Sequence, residues 1–129
     1  MNLSSALSFD AENLQESLDA LDETQLDDLD FGVIGFDAET IVGRYNTFES
    51  KAAGLPRDRV VGHPLFTFVA PCMNNFMVAH RFEEAQDEGV VLDASLNYVL
   101  TLRMRPTKVV LRLLASPTSE TRYVLVRRL

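Results

Sequence analysis

The chain has a single cysteine, and its first thirty residues contain no lysine or arginine. One cysteine cannot close an internal disulfide, so a reducing, cytoplasmic setting is expected. No apolar run approaches the ~18–20 residues that span a bilayer. Met1-Asn2-Leu3-Ser4-Ser5 lacks the basic and apolar regions of a secretory leader. Six glycines and five prolines exclude collagen-like and low-complexity material. Twelve basic residues against nineteen acidic ones leave a net charge of −7, which argues against general nucleic-acid binding. Neither GxGxxG nor a P-loop occurs, and the spacings of Cys72, His63 and His80 fit no zinc motif. What remains is one ordinary globular domain of 129 residues, 47% hydrophobic and 24% charged.

The missing basic charge is unevenly distributed. Residues 1–30 hold nine carboxylates, whereas residues 97–129 carry Arg103, Arg105, Lys108, Arg112, Arg122, Arg127 and Arg128 against Glu120 alone. The acidic head therefore has a basic partner in its own chain. It reads either as a solvated helix face or as a cap docked electrostatically, and weakly, on the C-terminal strands.

Residues 10–30 read as helical, with Asp10 as N-cap and Leu14, Leu18 and Leu21 at helical spacing. Thr24-Gln25-Leu26-Asp27 resembles a capping box opening a second short helix. Phe31–Phe36 and Ile41–Tyr45 form a hairpin around Asp37-Ala38-Glu39-Thr40. Asn46 caps a helical turn that Gly54 stops, and Pro56 opens a further short segment. Asn74 or Asn75 is expected to cap a longer helix reaching Glu88, with Phe76, Ala79, Phe82 and Ala85 on its apolar face and Gly89 closing it. Leu96–Met104, Lys108–Ala115 and Arg122–Leu129 read as strands, with a turn at Ser116-Pro117-Thr118-Ser119. The order predicts an α+β domain with a five-stranded antiparallel sheet.

Two constellations could carry chemistry. Cys72 stands just before the expected long helix, whose N-terminus would favour a thiolate. Its plain alternative is a small buried hydrophobe. Tyr45 and Glu49, four residues apart, would converge on one ligand atom if they shared a helical turn. Their alternative is a strand-end tyrosine and a solvated glutamate. His80 reads as a surface residue, and a Cys-His hydrolase has no supporting local signature. Spacing alone stops short of a function.

Gln25-Leu26-Asp27-Asp28-Leu29-Asp30-Phe31-Gly32, Tyr45-Asn46 with Glu49, Val69-Ala70-Pro71-Cys72, and Met104-Arg105-Pro106-Thr107-Lys108-Val109 occur here in order. In these fragments residues 24–129 resemble the photoactive yellow protein family, blue-light receptors with a PAS fold. The acidic head, residues 1–30, resembles that family's N-terminal cap, which leaves 31–129 as the PAS core. The resemblance implies p-coumaric acid (4-hydroxycinnamic acid) held as a thioester on Cys72. Tyr45 and Glu49 match the residues that hydrogen-bond its phenolate oxygen, and Met104 matches a loop methionine lying over it. The chain departs from the best-known members at Ala53, where they have threonine, and at Leu55, where they have an arginine gating the pocket. Leu65, Leu100 and Leu102 stand at aromatic pocket positions.

The implied function is light sensing, not enzymatic catalysis. Trans–cis isomerisation and proton transfer from Glu49 would drive a conformational change. A free phenol has a pKa near ~10, so holding a phenolate at neutral pH requires strong donors. Glu49 can donate only when protonated, and a buried, unpaired Glu49 anion would be costly enough to disturb the structure. The competing readings are a chromophore-free PAS sensing or dimerisation module and a cysteine-dependent enzyme. The expected partner is a separate downstream signalling protein, with no nucleic acid and no membrane, and the protein itself a monomer or weak dimer.

Overall fold

A computed structural model describes residues 7–101 and 105–129. Five strands form one antiparallel sheet: β1 (Gly32–Phe36), β2 (Val42–Tyr45), β3 (Leu92–Leu100), β4 (Thr107–Ala115) and β5 (Arg122–Arg128). Their order across the sheet is β2-β1-β5-β4-β3. The expected α+β class and five-stranded sheet are both present. The first and last strands of the chain lie side by side at the centre, with Gly32 opposite Val126 and Phe36 opposite Arg122.

Alternation along the strands gives the sheet two apolar faces. On the inner face Ile34, Phe36, Val109, Leu111, Leu113, Val124 and Val126 form one core with residues from the helices and turns between β2 and β3. On the outer face Val33, Leu114, Tyr123 and Leu125 pack under Phe9, Leu14, Leu18, Leu21, Leu26, Leu29 and Phe31. The docking of the acidic segment is therefore chiefly apolar. A fully buried leucine or phenylalanine contributes ~1.5–3 kcal/mol, so this packing is far from the weak electrostatic dock that charge alone suggested.

The N-terminal helices begin later than their sequence signals. Helix α1 spans Leu14–Ala20 and starts at Asn13, which sits at φ 54° with no side-chain cap. Asp10, the expected cap, instead pairs with Arg127 at 3.0 Å. Helix α2 is Glu23–Leu26, and its capping box is Asp22 with Gln25, not Thr24 with Asp27. Gln25 has the reach to return a bond to the Asp22 backbone N–H, at 2.9 Å, which completes the reciprocal pair.

Helix α3 (Thr47–Ala53) follows the local code as expected: Asn46 caps it and Gly54 ends it at φ 68°. A 3-10 turn at Arg57–Arg59, a π-type turn at Leu65–Val69 and a 3-10 turn at Pro71–Met73 follow. Helix α4 spans Ala79–Glu88, shorter than expected, and Phe76 is 81% exposed, off its apolar face. Asn75 is occupied elsewhere: its side chain accepts from the Met77 backbone N–H and donates to Cys72 O. Strand β3 starts four residues earlier than the apolar run Leu96–Met104 suggested. Its pairing runs from Leu92–Ala115 to Leu100–Thr107, which places Leu92, Leu96 and Tyr98 on the inner core.

Candidate functional site

Tyr45 ends β2 and Glu49 lies in the first turn of α3, with Asn46 extended between them at φ −87° and ψ 163°. They do not share a helical turn, as the four-residue spacing had suggested. The strand-to-helix corner buries both instead. Asn46 makes that corner rigid. Its Oδ1 accepts from the backbone N–H groups of Val33, at 3.0 Å, and Glu49, at 3.1 Å. Its Nδ2 donates to Leu26 O at 3.1 Å and Phe31 O at 2.9 Å. Being fully buried with four hydrogen bonds, Asn46 welds β1, α3 and the turn after α2 into one unit.

The Tyr45 hydroxyl donates to Leu55 O at 3.1 Å, a carbonyl that also accepts from Ser50 Oγ at 2.8 Å. Burial raises the phenol pKa well above its ordinary value, and the negative charge of Glu49 raises it further, while Arg128 opposes.

Glu49 is 1% exposed and is no solvated glutamate. Both carboxylate oxygens accept from Arg128, Nη1 to Oε1 at 2.7 Å and Nη2 to Oε2 at 3.0 Å. Burial pushes its carboxyl pKa up, and the Arg128 guanidinium pulls it back. The carboxylate lies so close to the backbone of β1 that a Cβ at Gly32 would stand 2.0 Å from Oε1. Glycine at this position is therefore required by the approach of Glu49, whatever its part in the strand.

Cys72 is a free, half-buried thiol in the Pro71–Met73 turn and packs against the same core as Tyr45. Helix α4 begins only at Ala79, so its N-terminus does not adjoin the sulfur as the sequence had suggested. The turn is pinned to β3 instead: the Tyr98 hydroxyl donates to Cys72 O at 2.5 Å, and Asn75 Nδ2 donates to that hydroxyl at 2.6 Å. Met104 and Leu102 lie outside the described residues.

Other features do not join this constellation. His80 pairs with Glu83 and Glu84 on α4, and His63 stacks on Phe68 with ring centroids 4.5 Å apart. Among the described residues no group of three or more His, Cys, Asp or Glu side chains could hold a metal ion, and no helix is long and apolar enough to cross a membrane. A surface groove of about 370 Å³ runs between Leu55, Val60, His63, Phe68 and Val69, without Tyr45, Glu49 or Cys72 in its walls. Asp58 and Arg59 also line it.

The chain as a whole is similar to proteins already known. Photoactive yellow protein of Halochromatium salexigens is 31% identical over 121 residues, spanning 94% of this chain and 96% of its own. That of Rhodothalassium salexigens is 29% identical over 122 residues, covering 95% and 97% respectively. The chain belongs to the photoactive yellow protein family. The solved photoactive yellow protein domain of the sensor histidine kinase Ppr from Rhodospirillum centenum superposes with a TM-score of 0.79 at 31% identity. It covers 88% of this chain and 98% of its own. A Rhodobacter sphaeroides LOV protein, at 16% identity and a TM-score of 0.61, shares the PAS fold alone; the match spans 83% of this chain and 64% of that one. No family model matches the chain.

Members of the photoactive yellow protein family are signalling photoreceptors on a PAS scaffold, and this chain is one of them. Sequence reasoning about the site missed Arg128 and Gly32. By composition Arg128 is only one of seven C-terminal basic residues. A usable sign was present, because alternation from Val124 and Val126 puts Arg128 on the apolar face of β5. A cation on that face calls for a buried anion.

Proposed function

We propose that the protein is a blue-light photoreceptor that carries p-coumaric acid as a thioester on Cys72. The observation carrying this reading is that Tyr45 and Cys72 share one core while Glu49, one strand-to-helix corner from Tyr45, is a carboxyl withdrawn almost entirely from water. The donor set fits the group chemically: a thiol to anchor an acyl chain, and a phenol and a carboxyl able to bond a phenolate oxygen. When bound, p-coumaric acid would supply light absorption and a trans–cis isomerisation. The protein's part is what its own residues do. Cys72 would give up its thiol proton and bond the acyl carbon of an activated ester, whose leaving group departs. Tyr45 would redirect its hydroxyl from Leu55 O to the ligand oxygen. Glu49, when neutral, would hold the proton that a light-driven rearrangement moves, and its anion would then need a partner or disturb the fold. Met104 is proposed to lie over the group.

In this reading residues 1–30 form the cap and 31–129 the PAS core. The protein works in the cytoplasm, as a monomer or weak dimer, and hands its signal to a separate signalling protein. Reconstitution with activated coumaric acid tests the proposal. The wild-type protein turns yellow and Cys72→Ala stays colourless; a colourless wild type overturns it. A second reading, a chromophore-free PAS sensing or dimerisation module, draws on one observation, that Arg128 already satisfies both oxygens of Glu49. The same reconstitution decides between them.

A further inference from the structure

Arg128 stands where a strand on an apolar face would ordinarily place another aliphatic residue. It follows Val124 and Val126, both 0% exposed, on the inner side of β5. The antiparallel pairing of β5 with β1 sets Val126 opposite Gly32, the residue whose missing side chain admits the Glu49 carboxylate. The result is a two-pronged ion pair whose acidic half is 1% exposed and whose basic half is 20% exposed.

Such a pair constrains the carboxyl. A bidentate guanidinium uses both oxygens as acceptors, an arrangement that favours the ionised group, which carries no proton to donate. A protonated Glu49 presents one O–H, forfeits one of the two bonds, and leaves Arg128 to turn toward the water it already reaches. The two arrangements are mutually exclusive. Resting on the reading of Glu49 as the chromophore-facing carboxyl, we propose that Arg128 is a positioning residue. It stores Glu49 as a buried carboxylate and must release it before Glu49 can donate a hydrogen bond to a ligand oxygen.

The groups facing Glu49 support this assignment. Arg128 approaches from β5, Tyr45 from the end of β2, and β1 contributes Gly32, which has no side chain. Asn46 holds the Glu49 backbone N–H through its Oδ1 and leaves the carboxyl unbound. Arg128 is thus the single opposite charge on this carboxyl among the described residues, set against burial that favours the neutral form. Removing the guanidinium should make Glu49 take up a proton from solvent. Restoring an opposite charge should drive that proton off again.

The test uses the pigment-free full chain, followed by infrared spectroscopy of protonated carboxylic acids across a pH titration, with Glu49→Gln subtracted to assign the band. In the wild type the Glu49 band is absent at neutral pH. In Arg128→Met the midpoint moves upward by at least one pH unit, a tenfold gain in proton affinity, and the band persists nearer neutrality. Arg128→Lys, which keeps the charge but not the fork, gives an intermediate midpoint; it also serves if the methionine variant does not fold. Equal midpoints in the wild type and both variants overturn the clamp. In pigmented wild type the Glu49 band appears on loading, and a yellow protein without that band overturns the release step. A shifted midpoint in a chain that never turns yellow sinks the photoreceptor reading while leaving the clamp intact.

Discussion

The two faces of the sheet use arginine in different ways. On the outer face Arg44 donates from Nη1 to Leu18 O at 2.8 Å and to the Tyr123 hydroxyl at 2.7 Å, and from Nη2 to Leu21 O, while pairing with Glu23 at 3.1 Å. Arg112 donates to Phe9 O at 2.9 Å and Ala11 O at 2.8 Å, and pairs with Asp93 at 2.9 Å. These arginines hold the N-terminal segment largely by its backbone carbonyls, which cannot titrate. On the inner face Arg128 holds a carboxylate, which can. The outer fastening therefore rests only in part on carboxylates, those of Glu23 and Asp93, whereas the inner one rests on a carboxylate alone. A scaffold whose outer attachments stay fixed can let one buried carboxyl change state without coming apart.

The largest expected effect comes from weakening the outer face where it is strongest. Leu18 is fully buried between α1 and the sheet, and Leu18→Ala should cost about 2–5 kcal/mol in urea-induced unfolding. A cost under about 1 kcal/mol would mean that the segment is held by charge after all, and the contrast between the faces would fail.

The next effect is read through pH and isolates the inner face. Glu49 has a carboxyl pKa raised above its ordinary 4.5 by burial, with Arg128 lowering it in part. The folded protein therefore retains a proton that the unfolded chain releases between the ordinary and the raised value. Stability is full below about 4.5 and falls as pH rises through that window, by about 1 kcal/mol per pH unit while it lasts. Glu49→Gln should flatten this slope in denaturant titrations at a series of pH values, whereas Asp19→Asn on the outer face should leave it in place.

The smallest effect concerns the exposed rim of the outer face. Asp10 and Arg127 pair at 3.0 Å with side chains 74% and 43% exposed, so Asp10→Asn should cost no more than about 1 kcal/mol. Raising the salt should erase that difference, since a Debye length of ~8 Å screens such pairs. Large loosening of residues 10–30 by salt, followed by hydrogen exchange, would contradict the apolar dock.

Much of this was legible locally. The hairpin, the Asn46 cap, the Gly54 stop and the Gly89 stop each depend on residues within a few positions of one another. Turn and cap chemistry is decided at that range. The start of β3 was not legible, because apolar alternation continues on both sides of Leu96 and only the partner β4 selects the paired stretch. The onset of α4 was not legible either, because Asn75, a good cap by type, is held by Cys72 O and by Tyr98, which lies 23 positions away.

The sequence by itself determined the class of fold, the candidate trio Tyr45, Glu49 and Cys72, and the resemblance that joined them. Residue type and short-range spacing encode those things. Only the tertiary structure decided what Glu49 is bonded to. Arg128 lies 79 positions further along the chain and reaches it because β5 inserts beside β1, where Gly32 leaves room for a carboxylate. Local propensity carries no information about which distant strand becomes a neighbour. The charge state of a buried acid is settled between its burial and that neighbour.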